Sequence, residues 1–206
     1  MSRRIDYYDD PNAPKANSLV PSVNVVVTND NGEILLIRRS DNDNWAIPGG
    51  AIDLGESLTE AAIRETREET GITCEITGLV GIYTDPKHVI LYTSNGEARQ
   101  EFSIVLTATA IGGIPVPSSE SSEVRWTPRD EVSSLQMDRS MTMRITHYLA
   151  GHSPPHLGLL AERVRYFLAL SRAASPARRA WLSAGRAGSL PHLQRIRPSH
   201  SLGPTP

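Results

Sequence analysis

The sequence predicts a domain of the mixed α/β class, in an α+β or layered arrangement, followed by a C-terminal extension. Three observations lead to this prediction. β-type runs and helical segments are mixed without a regular βαβ order, which argues against a wholly parallel sheet. A length of 206 residues suits one domain with an appendage better than two full domains. Hydrophobic residues make up 39% of the chain and charged residues 21%, which is enough apolar material for a packed core.

Two β-strands and a tight turn are predicted near the start of the domain. Residues 22–28, SVNVVVT, form a β-branched run, and residues 33–39, EILLIRR, form a second one. The sequence Asn-Asp-Asn-Gly at 29–32 lies between them and is typical of a hairpin turn. We therefore expect the two runs to be consecutive strands.

A helix with clear start and stop signals is predicted after Pro48-Gly49-Gly50. Ser57, followed three residues later by Glu60, has the capping-box pattern, and Gly71 ends the helix. Later β-type runs and helix-like segments complete the domain. The strands are expected at 75–83, 88–93, 101–111 and 122–126, with an Asn95-Gly96 hairpin turn between the second and third of these runs, and the helices at 128–135 and 138–149.

The last quarter of the chain differs in composition from the rest. Residues 151–206 carry eight arginines, no lysine and one acid, a net charge of +7, whereas residues 1–150 carry 13 basic and 22 acidic side chains, a net charge of −9. We therefore divide the chain into an N-terminal arm (1–19), a domain (20–150) and the basic tail, in which we expect a helix at 159–171 and then disorder. Nucleic acid is not the expected partner of the tail, because lysine and interleaved aromatic residues are lacking.

Cysteine content and hydropathy indicate the cellular compartment in which the protein is expected. The single cysteine, Cys74, cannot form an intramolecular disulfide or a thiolate metal cluster. No apolar run approaches the ~20 residues that a membrane-spanning helix needs, and the N-terminal residues lack the apolar core of a signal peptide. We expect a cytoplasmic protein without a membrane partner.

The predicted helix carries a cluster of acids. Glu65, Glu68 and Glu69 lie within roughly 100° of one another on a helical wheel, and like charges at i,i+4 spacing destabilise a helix by roughly 0.2–0.5 kcal/mol for each pair. Only one basic residue, Arg64, lies at helical spacing to neutralise these charges, and it does so by pairing with Glu68. The opposite stripe is expected to pack on the domain and consists of Thr59, Ile63, Thr66 and Thr70.

Clustered carboxylates beside a Gly-rich loop suit a magnesium site. Mg²⁺ prefers an octahedron of oxygen ligands, usually a few carboxylates completed by water and substrate phosphate. Such a site supports the attack of water on a polyphosphate. From the acids alone, however, a solvated acidic helix face is the ordinary interpretation.

The spacing of the glycines and charges favours the magnesium site. Gly50, five residues, Glu56, seven residues and then RETREETGI at 64–72 resembles the Nudix box in every glycine and charged position. The one departure is Thr66, a core-facing position where the family usually has an aliphatic residue. The chain is similar to Nudix hydrolases over roughly residues 20–150. The resemblance implies a mixed sheet sandwiched between helices, and hydrolysis of a diphosphate bond in a nucleoside diphosphate linked to another moiety.

The resemblance also implies roles for residues of the box. Glu65, Glu68 and Glu69 would hold Mg²⁺, or Mn²⁺ in its place, with Glu69 the foremost ligand. Glu65 would also orient or deprotonate the attacking water. Arg64 would orient the glutamates, and Glu56 would act from the loop as a helper ligand or as the partner of Arg64. Catalysis would therefore depend on Glu65, Arg64 and Glu68.

Members of the family also recruit a glutamate from a later loop. Glu120, in the sequence SSESSEV at 118–124, sits at about that position and is our candidate for the additional metal ligand. Weaker candidates for the catalytic base are Glu97, Glu101 and Glu123.

Two arginines and two glycines are candidates for binding the substrate. At most one of Arg38 and Arg39 should face a pocket, because neighbouring side chains of a strand point to opposite faces. Arginine suits bidentate contact with phosphate, and ion pairing at the surface is the competing role. Gly49 and Gly50 would form a backbone loop that closely approaches the substrate.

The identity of the substrate is indicated only weakly. Tyr83, His88 and Phe102 could stack on a base, although packing in the core is the more common role of such residues. Pro86 lies 15 residues after Gly71, near a position where some ADP-ribose-cleaving Nudix enzymes carry a proline. We therefore favour ADP-ribose or an ADP-sugar as the nucleotide substrate.

Different functions stay open at this point. The substrate could be a (d)NTP or an oxidised nucleotide. The domain could instead be a non-catalytic nucleotide-binding regulator, although such domains usually lose carboxylates of the box. Isopentenyl-diphosphate isomerase has a Nudix-like fold, but its chemistry needs a reactive cysteine, for which Cys74 is poorly placed. A homodimer is common in the family, but the sequence itself indicates no oligomeric state.

Overall fold

A computed structural model of the chain describes residues 4–151 and 154–158. The elements within these residues follow one another along the chain. They are β1 (Arg4–Tyr8), β2 (Ser22–Thr28), β3 (Ile34–Arg39), β4 (Trp45–Ala46), β5 (Gly49–Ala51), α1 (Leu58–Thr70), β6 (Ile72–Tyr83), β7 (His88–Tyr92), β8 (Glu97–Gln100), β9 (Ser103–Gly113), β10 (Ser121–Thr127), a 3₁₀ turn (Val132–Ser134), α2 (Arg139–Leu149) and β11 (His156–Leu157).

The larger sheet is mixed, as predicted. Its strands lie in the order β10-β3-β2-β9-β6-β11, with β4 beside β3 and β5 beside β2. β2 runs parallel to β9, whereas β9 and β6 are antiparallel. Residues 23–27 of β2 are all buried, and since successive side chains of a strand point to opposite faces, β2 is covered on both faces. The prediction of a mixed sheet packed between helices is confirmed.

A smaller antiparallel sheet consists of β1, β7 and β8 in that order. The Asn95-Gly96 turn joins β7 to β8, and Gly96 has a φ of 73° there. The prediction that this turn leads directly into a strand at 101–111 was wrong, because residues 97–100 form a separate strand and β9 begins only at Ser103. The arm before the domain contributes β1, which pairs with β7 from Arg4 opposite Tyr92 to Tyr8 opposite His88.

Helix α1 begins and ends where its capping residues predicted. The backbone N–H of Glu60 donates to Ser57 Oγ and the N–H of Ser57 donates to the Glu60 carboxylate, which completes the capping box. Gly71 follows the helix with a φ of 73°, in the left-handed region that favours glycine.

The packing stripe of α1 differs from the predicted one. Thr66 and Thr70 are buried as expected, but Thr59 is exposed and Ile63 is only partly buried. The other buried residues of the helix are Ala61, Ala62 and Glu69. The helix is therefore rotated so that one of its acids, Glu69, faces the interior. The prediction failed at Thr59 and Ile63 because it placed the packing stripe directly opposite all three acids.

The C-terminal part of the described chain is less helical than predicted. Residues 128–135 form only the short 3₁₀ turn, whereas α2 matches the predicted helix at 138–149 closely. β11 pairs in parallel with β6 at Gly81, where an added Cβ would lie 2.7 Å from His156. The predicted helix at 159–171 and the predicted disorder after it lie outside the described residues. No helix among the described residues is long and apolar enough to span a membrane.

Candidate functional site

A cavity of about 240 Å³ brings together some of the predicted site residues. Arg39, Gly49, Gly50, Glu69 and Glu120 line it, whereas Glu56, Arg64 and Glu68 line a separate surface groove and Glu65 lines neither. One part of the cavity wall is acidic and glycine-rich, and another part is rich in arginine. The acidic and glycine-rich part comprises Gly49, Gly50, Glu69 and Glu120, and the arginines are Arg4, Arg39, Arg99 and Arg144. A third acid of the wall, Glu101, is paired with Arg144. The residues come from both sheets, from α1 and from α2.

Glu69 is the buried acid of the cavity. Its exposed fraction is 7%, and one carboxylate oxygen accepts a hydrogen bond of 2.8 Å from the backbone N–H of Gly49. The pKa of Glu69 is raised to about 7, mainly by burial and also by the negative charges of Glu65 and Glu120, against the opposing effect of the Gly49 hydrogen bond. A desolvated carboxylate beside two other acids is a position where a bound cation would relieve both burial and repulsion.

Only glycine fits at positions 49 and 50 without a steric clash. Gly49 has a φ of 152°, and a Cβ added there would lie 2.1 Å from the carbonyl oxygen of Val23. At Gly50 an added Cβ would lie 2.4 Å from Glu65 Oε1. The loop therefore lies directly against the carboxylates of α1.

Arg64 holds the acids that flank Glu69. Its Nε and Nη2 donate to the two carboxylate oxygens of Glu56, at 2.6 and 2.8 Å. Its Nη1 donates to Glu65 at 2.8 Å and to Glu68 at 3.2 Å. Burial raises the pKa of the Glu65 carboxyl above its usual value despite this ion pair, whereas Glu68 is 60% exposed. Arg64 is thus the centre of an ion-pair cluster beside the cavity.

The carboxylates offer the right chemistry for a hard divalent cation but are not closed around one. Among the described residues, no three His, Cys, Asp or Glu side chains lie close enough together to enclose a metal ion. The reason is that Glu65 and Glu68 are turned towards Arg64. The donor set consists only of carboxylate oxygens, which suits Mg²⁺ or Mn²⁺. Because Glu69 is buried beside acids, the residues present fit such an ion once neighbouring side chains rotate towards it.

Glu120 is a second acid of the cavity wall. It lines the cavity from the loop before β10, and its charge raises the pKa of both Glu65 and Glu69. Two contacts position this loop: Ser118 Oγ accepts from the N–H of Glu120 at 3.1 Å, and Ser121 Oγ donates to the carbonyl oxygen of Glu69 at 3.4 Å.

The two arginines at the end of β3 diverge. Arg39 lines the cavity, and its Nε and Nη2 donate to Asp41 at 2.9 and 2.7 Å. Arg38 does not line it; the Nε atom lies 3.5 Å from Asp43 in an exposed ion pair. The alternation of the strand thus brings one of the pair into the cavity.

Of the aromatic candidates, only Phe102 lines the cavity. Tyr83 is buried elsewhere, where its hydroxyl lies 3.0 Å from His147 Nδ1 and its ring stacks on His156 at 4.8 Å between centroids. His88 is buried and stacks on Tyr8. Pro86 is not among the residues of the cavity wall.

The weaker candidates for the catalytic base are engaged in ion pairs. Glu97 accepts from Arg99, and Glu123 lies 3.8 Å from Arg125. Glu101 is buried between Arg144 and His88 Nδ1, the latter at 2.9 Å. Burial raises the pKa of Glu101, but its two cationic partners lower it more, so the net shift is downward.

Sequence reasoning missed Arg4, Arg99, Arg144 and Tyr92 as residues of the cavity. The ring of Tyr92 carries the Arg99 guanidinium at 4.7 Å from its centroid. One local signal was available, since Arg4 and Arg99 each stand two residues from an acid, Asp6 and Glu97, as Arg39 does from Asp41.

Known proteins resemble both the sequence and the fold. The family model of the NUDIX domain matches residues 18–147. A MutT-like protein of Streptomyces ambofaciens is 35% identical over 133 residues, which cover 65% of this chain and 79% of that protein. An ADP-ribose pyrophosphatase of Methanocaldococcus jannaschii is 30% identical over 131 residues, which cover 60% of this chain and 70% of that protein. A putative 8-oxo-dGTP diphosphatase of Bacillus subtilis is 46% identical over 63 residues, which cover 31% of this chain and 42% of that protein.

Solved structures show the same architecture. The crystal structure of an ADP-ribose pyrophosphatase from Streptococcus suis matches with a TM-score of 0.53 at 17% identity, covering 68% of this chain and 99% of that one. The MutT protein from Methanosarcina mazei matches with a TM-score of 0.52 at 23% identity, covering 70% and 99%. At these identities the likeness concerns the fold.

The mixed sheet between helices, with an acid of α1 buried at a glycine-rich cavity, defines a Nudix-type hydrolase fold. Because the family match spans more than half of the sequence, the chain belongs to the Nudix family. It is a pyrophosphohydrolase of that family. Such enzymes generally use divalent metal ions such as Mg²⁺ and act on small nucleotide substrates.

Proposed function

We propose that this chain hydrolyses the diphosphate bond of a nucleoside diphosphate linked to another moiety, with ADP-ribose or an ADP-sugar as the favoured substrate. The observation that carries the proposal is the buried Glu69, held by the N–H of Gly49 in one cavity with Glu120 and several arginines. The reaction requires a metal ion, which carboxylates bind, and a polyanionic substrate, which arginines bind, and the cavity contains both kinds of side chain.

The acids are the proposed metal ligands. Glu65, Glu68 and Glu69 of α1 would hold Mg²⁺ or Mn²⁺ together with Glu120. Bound there, the ion would supply Lewis-acid polarisation of the phosphate and a more acidic water. Glu69 is already fixed by its Gly49 hydrogen bond, whereas Glu65 and Glu68 exchange part of their contact with Arg64 for the ion.

Arg64 and Glu65 are the proposed catalytic pair of the box. Arg64 keeps Glu56, Glu65 and Glu68 in place through four hydrogen bonds from its guanidinium. Burial raises the pKa of the Glu65 carboxyl above its usual range, which makes it a better proton acceptor once deprotonated. Glu65 would orient or deprotonate the attacking water.

Arg39 and the glycine loop are the proposed contacts to the substrate. Arg39 lines the cavity, and its Nε and Nη2 donate to Asp41. Its third nitrogen, Nη1, donates to no acceptor among the described residues and is available to a phosphate oxygen. Gly49 and Gly50 bring the backbone close to the acids without a Cβ in the way. Phe102 is the candidate for contact with the base.

A second candidate substrate class has its own support. The putative 8-oxo-dGTP diphosphatase favours a (d)NTP or an oxidised nucleotide. The ADP-ribose pyrophosphatase relative favours the first class. Pro86 lies outside the cavity wall and makes no contact there that could discriminate between them.

A regulatory role and an isomerase activity receive no support. A non-catalytic regulator would not need the complete set of acids around Glu69, and an isomerase would need a reactive thiol. Cys74 is 2% exposed on β6 and is not part of the cavity wall, and burial raises the pKa of its thiol.

A substrate screen with a mass-spectrometric readout tests the proposal. The full chain would be incubated with ADP-ribose, ADP-sugars, dinucleotides and oxidised dNTPs, with Mg²⁺ in one arm and with EDTA in the other. We expect cleavage of an ADP-ribose-like compound at its diphosphate bond in the Mg²⁺ arm alone. Preferred cleavage of an oxidised dNTP would select the second class, and tight binding of nucleotides without any turnover would contradict an enzymatic role.

A further inference from the structure

Three arginines of the cavity wall share one arrangement. Each guanidinium binds the carboxylate of a residue two positions away through its Nε and Nη2 atoms, at 2.7–3.0 Å. The pairs are Arg4 with Asp6, Arg39 with Asp41, and Arg99 with Glu97. In the described part of the chain, Nη1 of Arg4 and of Arg39 donates to no acceptor. Side-on pairing fixes the plane of the guanidinium and leaves one edge for a ligand.

Arg4 and Arg39 are close enough to repel each other. Burial and the charge of Arg4 lower the pKa of Arg39, and the ion pair with Asp41 raises it again to a net upward shift. The side chain of Arg4 is 19% exposed, so little water remains to screen the two charges. Two partly desolvated cations in one cavity form a site that an anion would stabilise.

A chain of buried ion pairs holds Arg4 in place. Asp6, the partner of Arg4, lies 2.8 Å from His88 Nε2, and His88 Nδ1 lies 2.9 Å from Glu101. Glu101 in turn accepts from Arg144 of α2. Because breaking a buried ion pair leaves an uncompensated charge, strand β1 is firmly attached to the cavity wall. Arg4 is therefore positioned in advance for a ligand.

We propose that Arg4, on the first strand of the chain, is a substrate-binding residue that acts together with Arg39. The Nη1 atoms of the two arginines bind non-bridging oxygens of the substrate's diphosphate, in the cavity that also contains Glu69. The ligand chemistry is that of a nucleoside diphosphate moiety. This inference rests on the proposed function, and it adds a strand that lies before the family match at residues 18–147 to the substrate site.

The competing explanation is that Arg4 only stabilises Asp6. Arg4→Lys separates the two roles, because a lysine keeps a positive charge beside Asp6 but lacks the second edge of a guanidinium. Arg129→Lys is the matched control, since Arg129 is exposed and lies outside the cavity wall. If Arg4→Lys melts at a much lower temperature, it is replaced in the test by the double variant Arg4→Gln/Asp6→Asn. This double variant removes both charges of the ion pair and so leaves neither one unpaired.

Two readouts test the inference, the KM of the cleaved nucleotide and the binding of ADP in metal-free buffer with EDTA by calorimetry. We expect Arg4→Lys to raise KM and the ADP dissociation constant about tenfold or more, the size of one charge-assisted hydrogen bond. kcat should stay within about threefold, since the acids that hold the ion and the water are intact. Arg129→Lys should match the parent protein in both readouts.

The outcomes also separate this inference from the proposed function. Unchanged KM and ADP binding in Arg4→Lys would overturn the inference while leaving hydrolysis intact. Weaker ADP binding in Arg4→Lys, in a protein that cleaves no nucleotide, would support the anion site and contradict the proposed reaction. A fall in melting temperature with unchanged ADP affinity would assign Arg4 a purely structural role and would likewise overturn it.

Discussion

At the scale of single residues, the three acids of α1 lie in different environments. Glu69 is buried and hydrogen-bonded, Glu65 is partly buried, and Glu68 is mostly exposed, although all three lie on one side of the helix. Helical spacing predicted that they would be neighbours. It could not predict their burial, because that depends on the strands and loops against which the helix packs.

Gly50→Ala is a test of the close approach between loop and helix. The new Cβ would meet the Glu65 carboxylate at 2.4 Å, so the Glu65 side chain must move from its present position, in which it accepts from Arg64. Since a flexible side chain can move, we expect a loss of about 1 kcal/mol or less in folding free energy. Activity should fall at least about tenfold, because Glu65 loses its position.

The matched control for this glycine is Gly112→Ala, where an added Cβ meets no atom within 4 Å. Both variants would be compared by thermal melting and by kcat at saturating Mg²⁺. Equal activity of the two variants would show that the Gly50 loop does not constrain Glu65.

The buried carboxyl of Glu69 should make stability depend on pH. Burial raises its folded-state pKa to about 7 from an ordinary value of 4.5, so between these pH values the folded state binds more protons than the unfolded state. The stabilisation is therefore fully present below pH 4.5 and is lost as the pH rises through 7. In metal-free buffer we expect the free energy of unfolding to fall by about 1–3 kcal/mol over this range.

Chemical denaturation of the parent protein and of Glu69→Gln, each in EDTA, measures this effect. Part of the decline persists in the variant, because His88 also has a net raised pKa: burial lowers it and its carboxylate partners raise it more. A decline of the same size in both proteins would contradict the assignment to Glu69.

At the scale of elements, local sequence signals predicted helix α1, whereas two short strands, β1 and β8, were not predicted. The capping box and Gly71 lie within a few residues of the helix ends, and the structure confirms both. β1 was not predicted as a strand because its five residues, RIDYY, are too few and too mixed in polarity to give a clear pattern. β8 was missed because four residues of mixed polarity give little periodicity.

Ser57→Ala tests the contribution of the cap to α1. Loss of the capping box should lower the free energy of unfolding by about 1 kcal/mol, since one backbone N–H at the start of the helix loses its acceptor. Thr59→Ala, an exposed substitution in the same turn, should change it by less than about 0.5 kcal/mol. Thermal or denaturant melting compares the two, and an equal effect of both variants would show that the cap contributes nothing specific.

At the scale of the whole molecule, the cavity depends on contacts between parts that are distant in sequence. Its acids come from α1, the loop before β10 and the segment between β8 and β9, and its arginines come from β1, β3, β8 and α2. The spacing of the Nudix box pointed to the acids, because that part of the site lies within one continuous segment. The arginines of β1, β8 and α2 could not be found in this way, since only the pairing of β1 with β7 and the docking of α2 bring them to the cavity.

The most direct measurement compares nucleotide turnover by the parent protein, Glu69→Gln and Glu75→Gln at saturating Mg²⁺. Glutamine at position 69 can still accept the hydrogen bond of Gly49 but brings no charge to an ion, whereas Glu75 is an exposed acid on β6. We expect Glu69→Gln to fold normally and to lose roughly a thousandfold in kcat, with Glu75→Gln unchanged. Turnover by Glu69→Gln at the parent rate would contradict the claim that this buried carboxylate holds the metal ion for diphosphate hydrolysis.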